Sequence, residues 1–194
     1  KYDFIVYGIF WMDQTIQNKL VSIQQKKQRL DDYQPLDKAL IKNMGDWLRV
    51  ELTYTSNAIE WNTLSRRETA LVVEDGIVPA GKTVIEILEA KNHHKALDYV
   101  FELAQKRTIH TITQTDILDI HRIILDGIDD RNAGMYRTHN VRVSGSDTIF
   151  PNHMKVADLM DELEQRLQTN HENPVKVASD LHYKFVRIHP FADG

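Results

Sequence analysis

Leu181-His182-Tyr183-Lys184-Phe185-Val186-Arg187-Ile188-His189-Pro190-Phe191-Ala192-Asp193-Gly194 closes the chain, and its reading decides the fold. With Ala178, the residues Leu181, Phe185 and Ile188 recur at helical spacing, so a helix starting after Pro174 presents one apolar face. Pro190 ends it, because proline disfavours helical geometry in the residue before it. His189 therefore stands where helix gives way to loop, anchored from behind by apolar side chains. A neutral imidazole can take a proton near pH 7. Asp193 offers a hard oxygen suited to Mg²⁺. Gly194 permits backbone in which N–H groups converge on an anion, and Phe191 is placed to pin the loop to the core. Base, metal ligand and anion loop within six residues point to phosphate chemistry.

Outward from this segment the apolar spacing stays helical. Val156, Leu159, Met160, Leu163 and Leu167 predict a helix, as do Ile117, Ile120, Ile124 and Leu125 behind a Thr113 N-cap with Asp116 three residues on. A long pattern runs between Gly81 and Arg107. Ser65-Arg66-Arg67-Glu68 has the form of a capping box opening a short helix that stops near Gly76. Leu36, Leu40, Met44 and Leu48 follow Pro35, which suits a first helical turn, and Ile16, Leu20 and Ile23 share another face. The period breaks once. Val141 to Phe150 carries β-branched residues around Ser144-Gly145-Ser146-Asp147, the pattern of a hairpin. The expected fold is all-α, mainly a helical bundle, with one β-hairpin. Residues 1–52 form an N-terminal helical segment and 53–194 the main domain. Trp11, Trp47 and Trp61 are expected to be packing aromatics, and His182 a packed or hydrogen-bonded one.

With 194 residues, 42% hydrophobic and 27% charged, the chain can bury a sizeable core. A net charge of −4 and the lack of any basic run argue against broad nucleic-acid binding. There is no cysteine, which excludes disulfides, thiolate zinc sites and a thiol nucleophile, and which suits a reducing, cytoplasmic setting. The apolar start is too short to span a bilayer, so no membrane partner is expected. The chain starts at Lys1 and stops inside a motif, as a piece of a longer protein would.

His189-Pro190-Phe191-Ala192-Asp193-Gly194 resembles the first part of the signature of the Fic family, His-Pro-Phe-x-Asp/Glu-Gly-Asn-Gly-Arg-x-x-Arg. Gly134-Met135-Tyr136-Arg137 and the stretch 141–150 with Pro151 resemble its Gly-x-Tyr-Arg segment and substrate-binding flap. The likeness covers roughly residues 50–194, and three separated motifs stand in the family's order. It implies transfer of AMP from ATP to a Ser, Thr or Tyr hydroxyl of a target protein. His189 would be the base, Asp193 would hold Mg²⁺ and Gly194 would begin the phosphate loop. Val141, Val143 and Ile149 of the flap would register the target as an added strand. The remainder of the signature is not in this sequence, so the activity would belong to the intact parent and not to this piece alone.

Ser56-Asn57-Ala58-Ile59-Glu60-Trp61-Asn62 resembles the family's inhibitory motif, in which Ser or Thr is followed four residues on by Glu and then by Gly or Asn. By that resemblance Ser56 and Glu60 form a helix end that obstructs the ATP γ-phosphate, a carboxylate repelling a triphosphate. Trp61 stands where the family has Gly or Asn. Removal of AMP from a modified protein, or a non-catalytic regulatory role, are the alternatives. The resemblance allows a homodimer, and nucleic acid would be a partner only through a further C-terminal domain.

Overall fold

The computed structural model describes residues 3–143 and 147–193. Seven α-helices are present among them: α1 Asp3–Asp31, α2 Lys38–Ile59, α3 Arg66–Glu74, α4 Val84–Lys106, α5 Gln114–Leu125, α6 Val156–Thr169 and α7 Pro174–Ile188. Short 3₁₀ turns lie at Ile109–Thr111 and His153–Lys155. None of these helices is long and apolar enough to cross a membrane.

The chain divides into two compact units, Lys1–Gly45 and Asp46–Gly194. In the first, none of the residues 14–45 is buried; Ile16, Val21, Ile23 and Leu30 of α1 are all exposed. Pro35 does not open α2. The helix begins three residues later, where the Asp37 carboxylate accepts from the Leu40 amide at 2.9 Å, because a side-chain acceptor satisfies a free first-turn N–H that proline merely lacks.

The second unit holds the core. On α6, Val156, Met160, Leu163 and Leu167 are buried along one stripe. Val156, Met160 and Leu163 pack with Ile188 of α7, joined by Ile117, Tyr136, Leu181 and Phe185. A second cluster joins Leu64, Val72, Ile87 and Ala90. Helix starts follow the side chains expected to cap them. Ser65 with Glu68 and Thr113 with Asp116 form reciprocal capping boxes, and Thr83 with Glu86 forms a third. Buried Asn92 donates to the carbonyls of Ile124 and Asp126 at 3.1 and 2.8 Å, satisfying the C-terminal end of α5 from within α4.

The hairpin expected over 141–150 is not seen. Residues 141–143 and 147–150 carry no strand, and 144–146 lie outside the described residues. Limbs of three or four residues can form only a few ladder bonds, and an isolated two-stranded hairpin is marginal in water. Side chains at its ends hold the segment in their place. The expectation that the tryptophans pack fails at Trp61 and holds only in part at Trp47. Trp47 is 57% and Trp61 89% exposed, the former under the Arg66 guanidinium at 5.6 Å. His182 is exposed, because it falls on the solvent side of α7 opposite Leu181, Phe185 and Ile188.

Candidate active site

The last turn of α7 delivers His189. Its amide bonds the Phe185 carbonyl at 2.9 Å, and its backbone then turns left-handed (φ 49°, ψ 65°). With Pro190 next, the helix cannot continue, and this turn aims the imidazole sideways from the helix end. The ring stacks on Phe150 at 4.3 Å between centroids, 16° from parallel. Burial and the positive charge of Arg137 both hold the His189 pKa below the usual histidine value, favouring the neutral base.

Arg137 is 4% exposed, and its guanidinium is satisfied by main-chain carbonyls. Nε donates to His189 O at 2.7 Å, Nη1 to His139 O at 3.0 Å and Nη2 to Pro151 O at 2.6 Å. Its own amide donates to Pro190 O at 2.9 Å. One side chain thus joins both ends of the flap segment to the loop after α7.

The far end of that loop is held by His121 of α5, 3% exposed. The Gly134 amide donates to His121 Nδ1 at 3.0 Å, which leaves the ring proton on Nε2, and Nε2–H donates to Asp193 O at 2.8 Å. Gly134 has φ +71°, and a Cβ there would come within 3.0 Å of Leu118 O, so glycine is what lets this amide reach the ring. Desolvation keeps His121 neutral by lowering its pKa, against an opposing pull from Asp193. Phe191, 7% exposed, is pinned as its sequence predicts, stacked on His121 with Tyr136 and Phe185 against it.

Glu60 ends α2. The Asn62 amide bonds Asn57 O at 3.0 Å and the Trp61 amide bonds Ala58 O at 3.3 Å, a Schellman closure with Trp61 at the left-handed position, φ 68°. The closure is docked on α4. Asn62 donates to Glu86 O at 3.0 Å and to the Glu89 carboxylate at 2.8 Å, while Thr63 bonds the Glu86 carboxylate through amide and hydroxyl. The Thr63 and Thr83 bonds push the Glu86 pKa down to about 2.

A cavity of about 640 Å³ brings the elements together. Glu60, Val141, Val143, His189 and Asp193 all line it. Ile149 lies outside it and faces a second cavity, Ser56 is not on its wall, and Gly194 lies outside the described residues. No group of three or more His, Cys, Asp or Glu side chains that could hold a metal occurs among the described residues. Asp193 is the carboxylate nearest in sequence to His189 on this wall. Sequence reasoning gave no role to His121, Phe150, Thr63 or Glu86, and it read Arg137 only as part of a motif. A signal for His121 existed: it sits four residues from Ile117 and from Leu125, on the buried stripe of α5.

Residues 111–194 match a family model described as Fic/DOC family. A protein adenylyltransferase Fic from Drosophila virilis is 32% identical over 182 residues, covering 92% of this chain and 36% of that protein. Protein adenylyltransferase fic-1 from Caenorhabditis briggsae is 35% identical over 143 residues, 73% of this chain and 28% of its own length. The chain thus spans roughly a third of these relatives. Among solved structures, Fic-1 (residues 134–508) from C. elegans superposes with a TM-score of 0.79 at 28% identity, covering 94% of this chain and 54% of that one. A Fic-domain signaling protein from Bacteroides thetaiotaomicron gives 0.77 at 26% identity, covering 89% and 66%.

Proposed function

Residues 111–194 belong to the Fic/DOC family, and on that premise we propose that the full-length protein transfers AMP from ATP to a Ser, Thr or Tyr hydroxyl of a target protein. The observation that carries this reading is the single cavity lined by His189, Asp193 and Glu60. His189, kept neutral by burial and by Arg137, takes the proton of the target hydroxyl as that oxygen attacks the α-phosphorus in line. The bond to pyrophosphate breaks, and the imidazolium later loses its proton to solvent.

Asp193 is exposed on the cavity wall. A carboxylate in this position fits Mg²⁺, which commonly takes one or two protein carboxylates and fills its remaining positions with phosphate oxygens and water. Bound there, Mg²⁺ would neutralise phosphate charge. Val141 and Val143 on the same wall, and Ile149 beyond it, supply the backbone against which an extended target segment lies.

Autoinhibition rests on Glu60. The Schellman closure and the Asn62–Thr63 docking onto α4 fix the backbone at Glu60, which lines the cavity, and this supports a carboxylate that repels the charge of a bound triphosphate. Glu60 is equally placed to orient a water for AMP removal. The deciding experiment incubates full-length protein with α-labelled ATP and, separately, with an AMP-modified protein. Glu60→Gly should raise incorporation at least tenfold and His189→Ala should abolish it. If Glu60→Gly leaves incorporation unchanged and slows release from the modified protein, removal is the correct reading.

A further inference from the structure

The second cavity, about 540 Å³, lies between α6, α7 and residues 149–151. Helical spacing builds two of its walls. Leu159, Glu162, Leu163 and Arg166 follow at i, i+3, i+4 and i+7 on α6, and Lys184, Arg187 and Ile188 face them from α7. Leu163 and Ile188 are buried and give it an apolar floor. Arg166, Lys184 and Arg187 give it three cations against one carboxylate, Glu162, in a chain whose net charge is −4. None of the three cations forms a direct ion pair among the described residues; the carboxylate that Arg166 does feel, Glu172, is itself bonded to Lys176. Phe150 forms part of this wall while its ring stacks on His189 at 4.3 Å.

We propose that this cavity is a docking subsite for an acidic segment of the target protein, an apolar side chain on the floor with carboxylates reaching Arg166, Lys184 and Arg187. The proposal rests on the AMP-transfer reading and names the class of substrate that reading takes. Apolar contact supplies affinity, and the charge pattern supplies selectivity and rate of encounter. Because Phe150 is shared between the subsite and His189, a segment seated here is one aromatic ring from the base. Its neighbouring hydroxyl is thereby placed in the main cavity. Ile149, 71% exposed, offers the segment its outer apolar contact.

The test uses the full-length protein and two fluorescein-labelled peptides of equal length, each with one Thr. One carries Leu-Asp-Glu beside the Thr, and the other Leu-Asn-Gln. In fluorescence anisotropy at low salt the acidic peptide should bind at least tenfold more tightly, with the difference shrinking as salt rises. The double variant Arg166→Glu with Arg187→Glu, both at exposed helix positions, should erase that preference. The same variant should prefer a Leu-Lys-Lys peptide, an inversion that a misfolded protein would not give. In the transfer assay the variant should raise KM for the acidic peptide with kcat unchanged. Equal binding of acidic and neutral peptides, or a preference that survives charge reversal, overturns the subsite. Acid-selective binding without AMP incorporation into any peptide, even by the Glu60→Gly protein, supports the subsite and overturns the transfer reading. Incorporation with no charge preference does the opposite.

Discussion

The imidazole of His121 lies flat on the ring of Phe191, 3.7 Å between centroids and 3° from parallel, while its Nε2–H holds the carbonyl of Asp193. A side chain on α5 thus fixes two residues of a loop that begins after α7. Both ring nitrogens are committed, so the tautomer is set by the fold.

His121→Phe retains the stacking and loses both hydrogen bonds. The buried Gly134 amide so stranded costs about 1–3 kcal/mol. His121→Gln can still donate to Asp193 O. Urea unfolding should rank wild type above Gln above Phe, and AMP transfer should follow that order. A Phe variant as stable and as active as wild type would show that the bond to Asp193 does no positioning.

Trp61 occupies a left-handed backbone position and is almost wholly exposed. A bulky residue there is strained by roughly 1–3 kcal/mol, and its removal forfeits little burial. Trp61→Gly should stabilise the protein by about 1 kcal/mol, after allowance for the freer unfolded chain. Trp61→Ala, which keeps a Cβ at positive φ, should give no such gain. Denaturant midpoints of the two variants check this, and equal midpoints would remove the strain argument.

The pH behaviour follows from depressed pKa values. His189 is held below the ordinary 6.5 by burial and Arg137, so the transfer rate should stay level through neutral pH and fall only below that ordinary value. Stability shifts in the same direction. His93 and His121 are also depressed, chiefly by desolvation, so below pH 6.5 the unfolded chain binds protons that the folded one refuses. Their contribution is intact above 6.5 and is lost as pH falls through the folded values. Glu86 adds a second loss, beginning below 4.5 and ending near its folded value of about 2. A Tm that held steady from pH 7 to 4 would contradict this.

The sequence is legible where one residue's role is local. Ser65–Glu68 and Thr113–Asp116 announce their helices because a cap acts within three residues. The apolar stripes of α6 and α7 likewise reveal their buried faces. His189 and Asp193 are visible because they stand in one short motif. What the sequence hides is long-range. His121 and Asp193 are separated by 72 positions and Thr63 and Glu86 by 23, and nothing in either pair's own neighbourhood names its partner. The segment 141–150 misleads for the converse reason. Its β-branched residues satisfy the local pattern, but whether two short limbs pair depends on tertiary contacts. At this site the ends are tied by Arg137 instead.

Those ties have a consequence for how the protein can change. Arg137 grips the chain at His139 and again at Pro151, and with the same guanidinium it grips His189. The segment between His139 and Pro151 thus has both feet set in one block. Lengthening an arch whose feet are fixed costs little, since closure entropy grows only with the logarithm of length. Residues along the span, apart from Phe150 whose ring stacks on His189, can therefore be exchanged without moving those feet. Under the proposed transfer reading, target preference can drift in this protein's descendants while the base beneath it stays put.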